Sequence, residues 1–251
     1  MSETSSRIDK KVRSKTSNKN RIETSSKVSK EKKKETSSKE SSKKEGFRLT
    51  ERDYKIIREI DRWQVCVGRH IKELAGFSGQ RACDRRLRKL IEAGFIERRK
   101  IIYGLPGIYR NKYKAKTIEY VINTDKKIRI EHITHDITVL NTAIYINKTG
   151  IPFETMTTER QLHSLDGFGV RKHRPDFIYT KDGKTICVEV ELTLKARPYL
   201  EKNIKANFTA YDKQIWVVPD LQSKIARILE ENARKYPPIE ILEISEVKKY
   251  E

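Results

Sequence analysis

The stretch from Arg174 to Lys195 constrains this chain most. It reads Arg-Pro-Asp-Phe-Ile-Tyr-Thr-Lys-Asp-Gly-Lys-Thr-Ile-Cys-Val-Glu-Val-Glu-Leu-Thr-Leu-Lys. Two β-rich runs flank Asp182-Gly183, a dipeptide that tolerates the positive φ angles of a tight hairpin turn. Acids stand where an apolar strand would not place them. Asp176 opens the first run, directly after Pro175. Glu189 and Glu191 lie two apart in the second, so both share one face, and Ile186, Val188, Val190 and Leu192 alternate onto the other. Such a carboxylate face is either solvent-facing or a seat for a divalent cation held by hard oxygens.

Charge narrows the partners. The chain of 251 residues carries 55 Lys and Arg against 35 Asp and Glu, a formal net charge of +20. Phosphate is the natural counterpart: nucleic acid first, an anionic membrane second. No apolar run approaches the roughly 20 residues of a membrane span, and the polar N-terminus lacks the apolar core of a secretory leader. Cys66, Cys83 and Cys187 form no CxxC pair and fall inside apolar patterns. They read as buried thiols of a reducing compartment, which points to the cytoplasm.

Residues 1–45 are almost wholly Ser, Thr, Lys and Glu, with fifteen Lys/Arg and seven Asp/Glu, so they hold +8 of the net charge. Too few apolar residues are present to offset an ordering entropy of roughly 1–2 kcal/mol per residue. A disordered basic tail is expected, serving either to slide on DNA by counterion release or simply as a solubilising leader.

Thr50 with Asp53 has the spacing of a capping box, and Tyr54, Ile57, Ile60 and Trp63 follow at helical spacing. A short helix fits His70–Ala75, closed by Gly76. A third runs from Gln80 to Ala93, closed by Gly94, with Cys83, Leu87, Leu90 and Ile91 inward and Arg81, Arg85, Arg88 and Lys89 outward. A strand carrying Arg98, Arg99 and Lys100, a Gly-Leu-Pro-Gly turn and a strand at Ile108–Arg110 come next. This order, with Arg85–Arg98 reading Arg-Arg-Leu-Arg-Lys-Leu-Ile-Glu-Ala-Gly-Phe-Ile-Glu-Arg, resembles the recognition helix and wing of winged helix-turn-helix proteins. The resemblance implies that the basic helix face enters the major groove, with arginine reading guanine and Lys89 and the wing meeting phosphate. A merely solvated basic face, or protein–protein contact, is the other reading.

Residues 113–127 read as a strand or link with Ile118, Tyr120 and Ile122 alternating. A helix fits Ile130–Asn147, with His132 and His135 three apart near its start, a spacing better suited to capping or support than to direct ligation. Glu154–Gln161 reads as a strand and Leu162–Val170 as a loop. Beyond the hairpin, Pro198 opens a helix to about Phe208 carrying Lys202 and Lys205; Gln214–Pro219 is a buried strand, Gln222–Lys235 a helix, and Ile239–Val247 a last strand.

A helix, a hairpin with Pro-Asp and then Glu-x-Glu, and a lysine-bearing helix are similar to the PD-(D/E)xK nuclease-like core. That resemblance implies Asp176 and Glu189 as Mg²⁺ ligands. Glu191 occupies the usual lysine position, so Lys205 or Lys202 is nominated to stabilise phosphate charge and Glu191 to add a ligand or orient water. Taken whole, the winged helix followed by His135, Glu159, Arg174-Pro-Asp176 and Glu189-Val-Glu191 resembles the replication-relaxation family of plasmids and integrative elements. The expectation is an α+β chain: a disordered basic tail over 1–45, a winged helix over 46–115 and an α/β restriction-endonuclease-like domain over 116–251. Its implied role is plasmid replication or DNA relaxation on double-stranded DNA, either as a Mg²⁺-dependent endonuclease or nickase or as a non-enzymatic regulator or replication accessory factor. A homodimer and replication or transfer proteins are the protein partners that role would admit, and no membrane is expected.

Overall fold

The computed structural model describes residues 47–117, 128–166 and 170–248. The chain divides into Met1–Glu45 and Gly46–Glu251. The expected tail, the segment with Ile118, Tyr120 and Ile122, and residues 167–169 of the expected loop lie outside the described residues.

Helix α1 (Glu51–Trp63) starts at a capping box. Thr50 donates from its backbone N and its Oγ1 to Asp53 Oδ2, each at 2.7 Å. Ile56, Ile57 and Ile60 are buried on one stripe. Tyr54, expected on that stripe, is instead 39% exposed, because the buried stripe runs through Asp53, Ile56, Ile57 and Ile60 and leaves Tyr54 at its edge. After β1 (Cys66–Val67) come α2 (Gly68–Leu74) and α3 (Gln80–Glu92), then β2 (Ile96–Arg99) and β3 (Ile108–Asn111). These strands form an antiparallel sheet in the order β1-β3-β2. Gly94, at φ +81°, turns α3 into β2. In α3, Cys83, Leu87 and Leu90 face the core, while Arg86 reaches back to Asp53 with two guanidinium nitrogens.

A buried histidine ties α2 to a later helix, α4 (Ile133–Lys148). The Val67 N–H donates to His70 Nδ1 at 3.4 Å, so the proton sits on Nε2, 2.8 Å from Asn141 Oδ1. Burial pushes the imidazole pKa down to about 3, with the Asn141 bond opposing. The unfolded ring titrates near about 6.5. Between those values only the unfolded chain takes up the proton. Stability from this ring is therefore present above pH ~6.5 and is lost as pH falls towards 3, by up to about 1.4 kcal/mol per unit. His70→Gln is expected to flatten the acid slope of the urea midpoint between pH ~6.5 and ~4.5; an unchanged slope would show that the ring does not carry it.

Helix α4 is buried on most sides, with Ile133, Ile137, Leu140 and Ile144 joined by Val139, Ala143 and Ile146. Thr138 and Thr142 hide their hydroxyls by bonding the carbonyls four residues back, at 2.8 Å each. The strand expected over Glu154–Gln161 shrinks to β4 (Thr157–Thr158), and helix α5 (Glu159–Asp166) follows. The reason is a second capping box. Thr158 donates from N and Oγ1 to Gln161 Oε1 at 3.0 and 3.1 Å, which turns the chain into a helix at Glu159.

The hairpin is present as β5 (Phe177–Lys181) and β6 (Lys184–Val190), turned at Asp182 and Gly183 with φ of +51° and +72°. Then follow α6 (Arg197–Ala210), β7 (Lys213–Val218), α7 (Lys224–Ala233), β8 (Ile239–Glu243) and α8 (Ile244–Lys248). The last strand is shorter than expected, because Glu246 Oε1 accepts the Glu243 N–H and starts α8. The sheet runs β4-β5-β6-β7-β8, antiparallel across its first three strands and parallel across its last three. On one face Val188, Val190, Ile215 and Val217 join Leu140 and Ile144 in a core that also takes in Ile57 and Leu87. On the other, Trp216 and Val218 pack with Leu200, Ile204, Ile225 and Leu229. Segments on either side of residue 116 thus share one core. No helix among the described residues is long and apolar enough to cross a membrane. The three cysteines are buried free thiols, as expected.

Candidate functional site

Two groups of polar side chains stand out. The first is basic and exposed. Arg81, Arg85, Arg88 and Lys89 project from α3 on the side away from Leu87, and Arg98, Arg99 and Lys100 project from the neighbouring hairpin. Arg99 is paired with Glu97 at 2.5 Å. Between α3, the start of α2 and the hairpin lies a cleft of about 430 Å³, whose lining includes Arg69, Arg88 and Arg98, with Gln80 and Asp84. Arg98 crosses the Tyr109 ring at 5.8 Å. A Cβ on Gly107 would sit 2.6 Å from Arg98 Nε, so glycine there is what lets the guanidinium lie across the hairpin. Arg86, in the middle of the arginine run, is turned inward and belongs to the fold.

The second group is acidic and largely buried, at the end of β6 where the hairpin meets α4 and α6. Asp176 Oδ2 accepts the Val190 N–H at 2.7 Å, and its Oδ1 lies 3.5 Å from His135 Nε2. Glu189 pairs with Trp216 in the sheet register and so points to the α6 side. There its Oε1 accepts from Asn207 Nδ2 at 2.8 Å and lies 2.5 Å from His173 Nε2. Glu191 extends the ladder by donating its N–H to Val217 O, and its Oε2 meets Lys195 Nζ at 2.6 Å.

Electrostatics binds these groups together. Burial pushes the Glu189 carboxyl up, His173 pulls it back, and the charge of Asp176 pushes it up again; the net direction is up. Burial likewise raises Glu191 against the opposing pull of Lys195. Burial would lower His135, but bonds to Asp136 and Asp176 outweigh it and lift the imidazole to about 10. His135 therefore carries a positive charge at neutral pH.

Lys205, nominated from sequence, does not join this group. It is exposed with Lys202, while Asn203 and Asn207 take the buried turn of α6 facing the sheet. The lysine at the acids is Lys195, in the link before α6, drawn by the charges of Glu191, Glu189 and Asp176. Lys195, His173 and Asn207 carried no sequence signal beyond their closeness in the chain to the acidic motifs.

Asp176 and Glu189 offer the hard oxygens that Mg²⁺ takes, and the repulsion between them is what a divalent cation relieves. Among the described residues, no three His, Cys, Asp or Glu side chains stand together as a ready ligand set. No family model matches the chain, and no curated protein or solved structure is significantly similar to it.

Proposed function

We propose that this chain is a DNA-binding protein of a plasmid or related mobile element, of the replication-relaxation kind, whose winged helix-turn-helix holds duplex DNA. The observation that carries the reading is the exposed α3 face of Arg81, Arg85, Arg88 and Lys89 beside a hairpin that exposes Arg98, Arg99 and Lys100, with Arg88 and Arg98 lining one cleft between them. Helix α3 would lie in the major groove with Arg85 and Arg88 at base edges, and Arg98 would meet phosphate. Gly107→Ala tests this without changing any charge. The flexible Arg98 side chain can move aside, so stability should hold. Duplex affinity should fall about three- to tenfold and the salt slope by about one. Unchanged affinity would remove Arg98 from the contact.

A second reading, favoured by the acidic group, is that the α/β part is a nuclease-like domain acting on the bound DNA. Asp176 and Glu189 would hold Mg²⁺, which supplies an activated water and offsets phosphate charge. Lys195 opposes the upward push that burial gives Glu191, and His135 places a positive charge beside Asp176. Incubation with supercoiled plasmid should show Mg²⁺-dependent nicking that Asp176→Ala reduces by at least about 10³-fold, with duplex affinity kept. Binding without nicking would leave a regulator or replication accessory factor on a nuclease-like scaffold.

A further inference from the structure

A second groove, apart from the α3 surface, runs along the end of α1, the start of α4 and α5. Its outer part is a cavity of about 610 Å³ lined by Arg110, Arg129, His132, Glu159, Arg160 and His163. Beside it lies a smaller space of about 190 Å³ that shares Gln64, His132, Asp136, Glu159 and Arg160 and is also lined by His135 and Asp176. We propose that this groove seats an unpaired DNA strand and leads one of its phosphodiesters to Asp176; the proposal rests on the DNA-binding reading above.

The shape selects the ligand. A duplex is too bulky to pass into cavities of this size, whereas the backbone of a single strand can follow them to the partly buried carboxylate. The chemistry agrees. Arg129 and His132 are exposed at the outer part. Arg160 is anchored through Nη1 to the carbonyl and carboxylate of Asp61, which fixes its planar fork for a phosphate. The rings of His132 and His163 supply the flat faces on which unpaired bases stack. Two acids are common to both spaces, and each has a histidine near it: Asp136 lies 3.3 Å from His135, and Glu159 lies 3.7 Å from His163. The groove shares none of its lining with α3 or the β2–β3 turn, so the two surfaces separate by mutation.

The test is fluorescence anisotropy with an oligothymidine and with a duplex, using the full chain. Arg129→Glu combined with His132→Ala alters two exposed positions, with a melting curve as the folding control. Oligothymidine affinity should fall tenfold or more, as expected for losing phosphate and stacking contacts, while duplex affinity stays within about twofold. Arg85→Ala with Arg88→Ala should do the reverse. Unchanged oligothymidine affinity in the groove variant, or equal losses on both ligands, overturns the proposal. Duplex binding by the wild type without oligothymidine binding overturns the groove alone; binding of neither overturns the DNA reading as well.

Discussion

Arg86→Met should lower the stability of the folded chain by about 3–5 kcal/mol, read as the urea midpoint near neutral pH. Asp53 is fully buried, and its carboxylate has two kinds of partner, the Thr50 cap and the Arg86 fork. Burial alone would push its pKa up; the bonds from Arg86 and Thr50 hold it below the usual carboxylate range. Removing the fork leaves a buried carboxylate with the Thr50 cap alone, which costs far more than an exposed pair is worth. It also unties the middle of α3 from the first turn of α1. Asp53→Asn with Arg86→Met should recover part of the loss, because no unpaired charge then remains. A loss below about 1 kcal/mol in the single variant would place Arg86 among ordinary surface arginines.

Its neighbours should behave in the opposite way. Arg85→Ala with Arg88→Ala touches two exposed side chains and should move stability by only about 0.5 kcal/mol or less each. Duplex affinity, by contrast, should fall by about 2–6 kcal/mol, roughly 30-fold to 10⁴-fold, if each arginine reads a base edge. Four residues of one helix thus divide between two roles according to helical phase. Leu87 faces the core, Arg86 turns to α1, and Arg85 and Arg88 face outward. A loss that is uniform over all duplex sequences would assign both arginines to phosphate; a loss confined to preferred sequences would assign them to bases.

What was legible in the sequence was whatever rests on local signals. Asp182-Gly183 fixed the hairpin because few dipeptides accept two positive φ angles in succession. Gly94 and the Cys83–Leu87–Leu90 spacing gave α3 and its core face. Elements governed by distant partners were hidden. Strand β1 is two residues long and exists only because β3 pairs with it. The Asp53–Arg86 pair spans 33 positions, and from sequence Asp53 is only a cap. Helix α5 was legible in principle, since Thr158-Glu-Arg-Gln161 has capping-box spacing, but the apolar and β-branched residues before it suggested a strand. At the acidic group the hairpin carboxylates could be read from alternation. The lysine could not, because the phase of α6 relative to the sheet decides that Asn207 faces Glu189 and Lys205 faces outward.

Duplex binding by the α3 face is tested by an anisotropy titration between about 50 and 200 mM salt, wild type beside Arg85→Ala with Arg88→Ala. The logarithm of the binding constant should fall linearly with log salt, by about 0.9 for each phosphate met, with a large loss in the variant at every salt concentration. Binding that ignores salt, or that survives intact in the variant, would contradict binding by that face.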